Sequence, residues 1–127
     1  MSEQLTSIRI RTSLHDQLRL LAADLSRERQ VRITMRSLLE EGVRGLFQQP
    51  LAQWVHWASQ GIAPVSVGET SVSVRIRAEL VRDLGVLAAH MTTQSRVPIT
   101  KVHLLEEAGR RILAQVQEER DELDALV

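Results

Sequence analysis

The sequence predicts a mostly helical protein of one domain, in which a short strand followed by two helices occurs twice. Three observations carry this. Ser7-Ile8-Arg9-Ile10-Arg11 and Ser73-Val74-Arg75-Ile76-Arg77 are two copies of one alternating run, 66 residues apart. Alternation of apolar and polar residues marks a strand with one face in a core and the other in solvent. The match then continues past the strand: Ile8–Phe47 aligns on Val74–Leu113 without a gap, with 16 identities over 40 positions. Third, the apolar residues after each strand recur at helical spacing, Leu14, Leu18, Leu21 and Leu25 in the first copy. Two copies are too few for a solenoid, which needs three or more units. A 40-residue unit is also near the size below which a core rarely suffices alone. The two units are therefore expected to share one core. The expected layout of residues 1–127 is a first unit over 6–47, a linker with a short helix over 48–70, a second unit over 71–113 and an acidic helical extension over 114–127.

The first strand is expected over Thr6–Arg11. Ser13 with Asp16 three residues later has capping-box spacing and should start the helix that follows, with Asp in place of the usual Glu or Gln. That helix should end near Ser26–Arg29, and Gln30–Ile33 is a connector. Thr34 is a good N-cap for a second helix, which runs to about Phe47 with Leu38, Leu39, Val43 and Leu46 inward. Pro50 interrupts it. Leu51–Ser59 reads as a short extra helix on which Trp54 and Trp57 share a face. That pair either pins the linker onto the core or forms an interface or base-stacking site. Gly61–Thr70 holds Gly, Pro and Ser and reads as a linker. The second strand is expected over Ser71–Arg77 and the next helix over Glu79–Met91, without a Ser-x-x-Asp start. Thr100 caps the last helix, which has no stop signal and should continue through Glu118–Leu126. Its end is either a coiled contact with another chain or a frayed acidic terminus.

Composition narrows the classes. There is no cysteine, which excludes disulfides and thiolate sites. Met1–Thr6 is polar and no apolar run approaches the ~20 residues of a membrane helix, so a cytoplasmic protein without membrane contact is expected. A net charge of zero hides an uneven distribution: Thr6–Phe47 and Val72–Leu113 each carry +3, and Ala114–Val127 carries −4. Basic units leave a polyanion partner open. No catalytic set stands out. His15, His56, His90 and His103 lack metal-ligand spacing. No glycine loop cradles a phosphate. Glu40-Glu41 and Glu106-Glu107 are adjacent acids that point apart on a helix, so they are not an acid–base pair. Neither an enzyme nor a metal or cofactor is expected.

Strand, amphipathic helix, connector and Thr-capped helix, in register and twice over, resemble the ribbon-helix-helix DNA-binding proteins of the Arc/MetJ type. The resemblance covers about Thr6–Phe47 and Val72–Leu113. It implies a two-stranded antiparallel β-ribbon over four helices, with the ribbon entering the DNA major groove. With both units in one chain, it implies a tandem, intramolecular pseudo-dimer, as in some conjugative-plasmid accessory proteins. The family's base-reading positions map onto Ser7, Arg9, Arg11, Ser73, Arg75 and Arg77. Arginine can bond guanine O6 and N7 together, and serine exchanges hydrogen bonds with several bases. The family's phosphate clamps map onto the starts of the Thr-capped helices, Thr34, Met35 and Arg36, and Thr100, Lys101 and Val102, where free N–H groups favour an anion.

Sequence-specific binding of double-stranded DNA follows as the expected function. The role would be a transcriptional repressor, or an accessory protein in plasmid or phage DNA processing, in the cytoplasm and on the nucleoid of a bacterial or mobile-element host. Self-association on adjacent sites, or a relaxosome-type protein partner, goes with it. One alternative is an antitoxin that binds its own promoter and holds a basic toxin on the acidic tail. Another is a helical module that contacts protein rather than DNA.

Overall fold

A computed structural model describes residues 4–60 and 70–126. Their order is β1 (Leu5–Arg11), α1 (Thr12–Arg29), α2 (Met35–Phe47), α3 (Leu51–Ser59), β2 (Ser71–Arg77), α4 (Ala78–Ser95) and α5 (Lys101–Ala125). The chain is mostly helical, and its one sheet among the described residues is the antiparallel pair of β1 and β2. The linker expected over Gly61–Thr70 lies, apart from Thr70, outside the described residues.

Both strands form because their alternation can be satisfied on one side only. Ile8, Ile10, Val74 and Ile76 are buried beneath the ribbon, and Ser7, Arg9, Ser73 and Arg75 are exposed above it. The register pairs Ile8 with Val74 at its centre and Leu5 with Arg77 at one end. Two backbone bonds beyond the strands close the ladder: Thr12 donates to the Thr70 carbonyl at 3.0 Å, and Ala78 to the Gln4 carbonyl at 3.0 Å. A two-stranded ribbon is at best marginal alone. Here its inner face completes a single core with Leu14, Leu18 and Leu25 of α1, Leu39 and Val43 of α2, Leu84 and Met91 of α4, and Leu104 and Leu105 of α5.

The connectors are short because a hydroxyl folds each one back. The Ile33 N–H donates to Ser26 Oγ at 2.8 Å, and the Ile99 N–H to Thr92 Oγ1 at 3.0 Å. Gln30 and Arg96 then turn the chain out of α1 and α4 in the left-handed region, with φ of 56° and 60°.

Two expectations need correction. No box of Ser13 and Asp16 starts α1. The helix begins at Thr12, and its N-cap is Arg11, which makes no side-chain cap bond. The reason is that α1 starts ahead of Ser13, which therefore lies inside the first turn and not at the N-cap position. The helix expected over Glu79–Met91 is longer at its C-terminal end, reaching Ser95. Pro50 does interrupt the chain after α2, and α3 follows at once over the expected residues. Among the described residues no helix is long and apolar enough to cross a membrane.

The helices α2 and α5 cross at a point with no room for a side chain. A Cβ at Gly42 would stand 2.6 Å from the Ala108 carbonyl oxygen. Gly45, one turn later, has open space. Gly42→Ala should therefore destabilise by about 1–3 kcal/mol through overpacking. Gly45→Ala should stabilise by about 0.5–1 kcal/mol through helix propensity. Urea unfolding of the pair checks this; equal shifts in both variants would show that the helices do not cross at Gly42.

Candidate nucleic-acid interface

The outer face of the ribbon collects the central candidates. Across it, Ser7 pairs with Arg75 and Arg9 with Ser73. Each arginine thus stands opposite a serine, and the two arginines are diagonal neighbours. Alternation in the sequence predicts the face but not the register, and the register removes the direct like-charge opposition that four arginines on one face suggest. Arg9 lies along the ribbon, donating from Nε to Ser71 Oγ at 2.9 Å and from Nη2 to the Ser71 carbonyl at 2.8 Å. Arg75 is exposed and has no hydrogen bond or ion pair among the described residues. Ser7 and Ser73 are exposed beside them.

Arg11 and Arg77 are placed differently. They sit at the two ends of the ribbon, as N-caps of α1 and α4. The Arg11 N–H donates to a carboxylate oxygen of Glu106 at 2.9 Å, and Arg11 Nε lies 3.3 Å from the other oxygen. The Arg77 N–H donates to Glu40 at 2.9 Å, and its guanidinium lies 3.9 Å from Glu40 and 3.7 Å from Glu79. The cause is the burial of two carboxylates. Glu40 is 5% exposed and Glu106 2%, and a charge taken out of water needs donors and a cation. Glu40 also meets Arg36 Nε at 3.2 Å and Arg44 at 3.9 Å. The structure therefore brings Arg9, Arg75, Ser7 and Ser73 together on the open face, and sets Arg11 and Arg77 at its edges against acids.

The second set of candidates is formed by two helix starts. Thr34 is extended, with φ −106° and ψ 155°, and its Oγ1 accepts the Ser37 N–H at 3.0 Å while Ser37 Oγ accepts the Thr34 N–H at 3.1 Å. At α5, Thr100 Oγ1 accepts the His103 N–H at 3.2 Å, and His103 Nδ1 accepts the Thr100 N–H at 3.1 Å. Both caps are reciprocal boxes. They use the third helical N–H and leave those of Met35 and Arg36, and of Lys101 and Val102, ahead of the helical ladder. Arg36 spends part of its charge on Glu40, whereas Lys101 is exposed.

Other candidates resolve plainly. Trp54 is 1% exposed and donates from its indole to the Leu46 carbonyl at 3.0 Å. Its ring meets that of Trp57 edge-on at 5.5 Å, and the Arg111 guanidinium lies 4.5 Å from its centre. Of the two readings of this pair, pinning to the core is the one observed: Trp54 is not open to a base. The α5 extension keeps Val116 buried and joins Arg120 to Glu28 of α1 at 2.8 Å. Beyond that bond Leu123 and Leu126 are 63% and 84% exposed.

Sequence reasoning missed the roles of Glu40, Glu106, Ser37 and His103. The signal for the first two was an acid recurring inside an apolar helical stripe. For the others it was the Thr-x-x-Ser and Thr-x-x-His spacing. Compared with known proteins, the chain matches no family model, no curated protein and no solved structure.

Losing a buried carboxylate leaves its partners unmatched. Glu106→Ala should destabilise by about 3–5 kcal/mol. Glu106→Gln, which can still accept the Arg11 N–H, should cost about 1–2 kcal/mol. Thermal unfolding of both variants tests this; an alanine variant as stable as the parent would mean that the junction does not depend on Glu106.

Proposed function

We propose that this protein binds double-stranded DNA sequence-specifically by laying the β1–β2 ribbon in the major groove. On this reading it is a ribbon-helix-helix protein in tandem form, one chain supplying both strands and four of the helices. The observation that carries the reading is the outer ribbon face, where Arg9, Arg75, Ser7 and Ser73 stand together in a register centred on Ile8 and Val74. Those two residues are matched positions of the sequence repeat, and a pseudo-twofold axis through the ribbon would pair them. Strands about 4.8 Å apart fit a groove about 12 Å wide. Arg75 has its donors open for guanine O6 and N7. The starts of α2 and α5, where the N–H groups of Met35, Lys101 and Val102 stand ahead of the helical ladder, suit phosphates on either side. Phosphate contacts would position the ribbon, and base contacts would give it sequence preference. The natural role is that of a repressor or an accessory protein in plasmid or phage DNA processing. The exposed acidic end of α5, with Leu123 and Leu126, favours a basic protein partner as a second contact. An antitoxin would use it so.

Selection of bound duplexes from a random pool tests the proposal. The parent should enrich a short motif. Arg9→Ala with Arg75→Ala should lose it, each good bidentate contact being worth about 1–3 kcal/mol of base discrimination. Thr34→Ala should weaken binding to all duplexes about equally. No enrichment by the parent at low or moderate salt, or a motif unchanged in the double variant, would refute base reading by the ribbon.

A further inference from the structure

The two central arginines are not supported alike. Arg9 is held by both the hydroxyl and the carbonyl of Ser71. Arg75 occupies the matching position of the repeat, and the residue that corresponds to Ser71 is Leu5, which has no hydroxyl. The difference is built into the ends of the ribbon: Ser71 lies across from Arg11, and Leu5 across from Arg77.

Resting on the DNA-binding reading, we infer that Ser71 is a positioning residue for Arg9 and that the protein reads an asymmetric subsite. A guanidinium has five N–H donors in a rigid fork. Ser71 takes the Nε–H and one Nη2–H. One hydrogen of Nη1 and the second of Nη2 remain side by side, and these two form the edge that can bond guanine O6 and N7 together. Ser71 thus grips one edge and leaves the other for the base. An arginine already ordered loses less rotamer freedom when it binds. Arg75 must give up that freedom on contact. The half of the subsite under Arg9 is therefore read more stringently than the half under Arg75. The chain then has a preferred orientation on DNA that the identity of its two Ser-x-Arg-x-Arg runs conceals.

The test uses the full chain and duplexes carrying the selected motif. Single-base replacements are made in each half, and the halves are assigned by which preference Arg9→Ala or Arg75→Ala abolishes. The parent should discriminate more strongly in the Arg9 half. Ser71→Ala should lower discrimination there by roughly five-fold, the scale of one immobilised side chain, with the Arg75 half unchanged. Ser71→Thr, which keeps the hydroxyl, should restore it. Three results would overturn the inference: preference in the Arg9 half unchanged by Ser71→Ala, an equal loss in both halves, or tighter binding, which would mean that Ser71 withholds Arg9 from DNA. A parent that enriches no motif would overturn the DNA-binding reading and this inference with it. A parent motif lost in Arg9→Ala but intact in Ser71→Ala would overturn this inference alone.

Discussion

Among the described residues each strand has only the other to pair with, and the partners are far apart in the chain. Everything else depends on bringing Leu5–Arg11 against Ser71–Arg77. The pairing carries a large loop-closure cost, which the ribbon cannot offset alone. The helices offset it from below by sealing Ile8, Ile10, Val74 and Ile76 into the common core. Glu40 and Glu106 fasten the ends. Each binds the strand–helix junction of the opposite half of the chain, so the two halves are interlocked by a pair of crossed carboxylate contacts. Slipping the register by one residue would turn the arginines into the core and pull both junctions from their acids.

That arrangement also sorts the charge. Four arginines lie on the outer side of the strands, and the acids engage the two at the ends. The two in the middle remain on the open face, each across from a serine. A buried carboxylate is weak evidence for stability in itself. Here its location explains why the ribbon presents a compact, two-arginine centre instead of a uniformly basic strip.

Much of this was legible in the sequence, for local reasons. Alternation identified the buried residues of both strands. Helical spacing identified the inward leucines, and Thr34 and Thr100 announced the helices they cap. Pro50 marked the break that α3 follows. What was not legible is set by distant partners. The Ser13–Asp16 spacing suggests a cap, but α1 starts ahead of Ser13, at a junction where Glu106, 95 residues from Arg11, accepts the Arg11 N–H and Thr70 accepts that of Thr12. Glu40 and Glu106 read only as adjacent acids unsuited to acid–base work, because a helix says nothing of which strand end will cross it. Register was hidden too, since alternation fixes the face of a strand and leaves its partner open. The hold of Ser71 on Arg9 depends on that register. The role of Trp54 is likewise set by Leu46 and Arg111, partners that its spacing from Trp57 does not reveal.

A ribbon that reads bases from the major groove should be sensitive to chemical modification of the base edges there. A duplex bearing the selected motif is lightly methylated at guanine N7, which faces the major groove, and at adenine N3, which faces the minor. Bound and free fractions are then compared. N7 methylation at the guanines under Arg9 and Arg75 should exclude the duplex from the bound fraction, and N3 methylation at neighbouring adenines should have little effect on base reading by the ribbon. Interference confined to adenine N3, or insensitivity at every position, would contradict it.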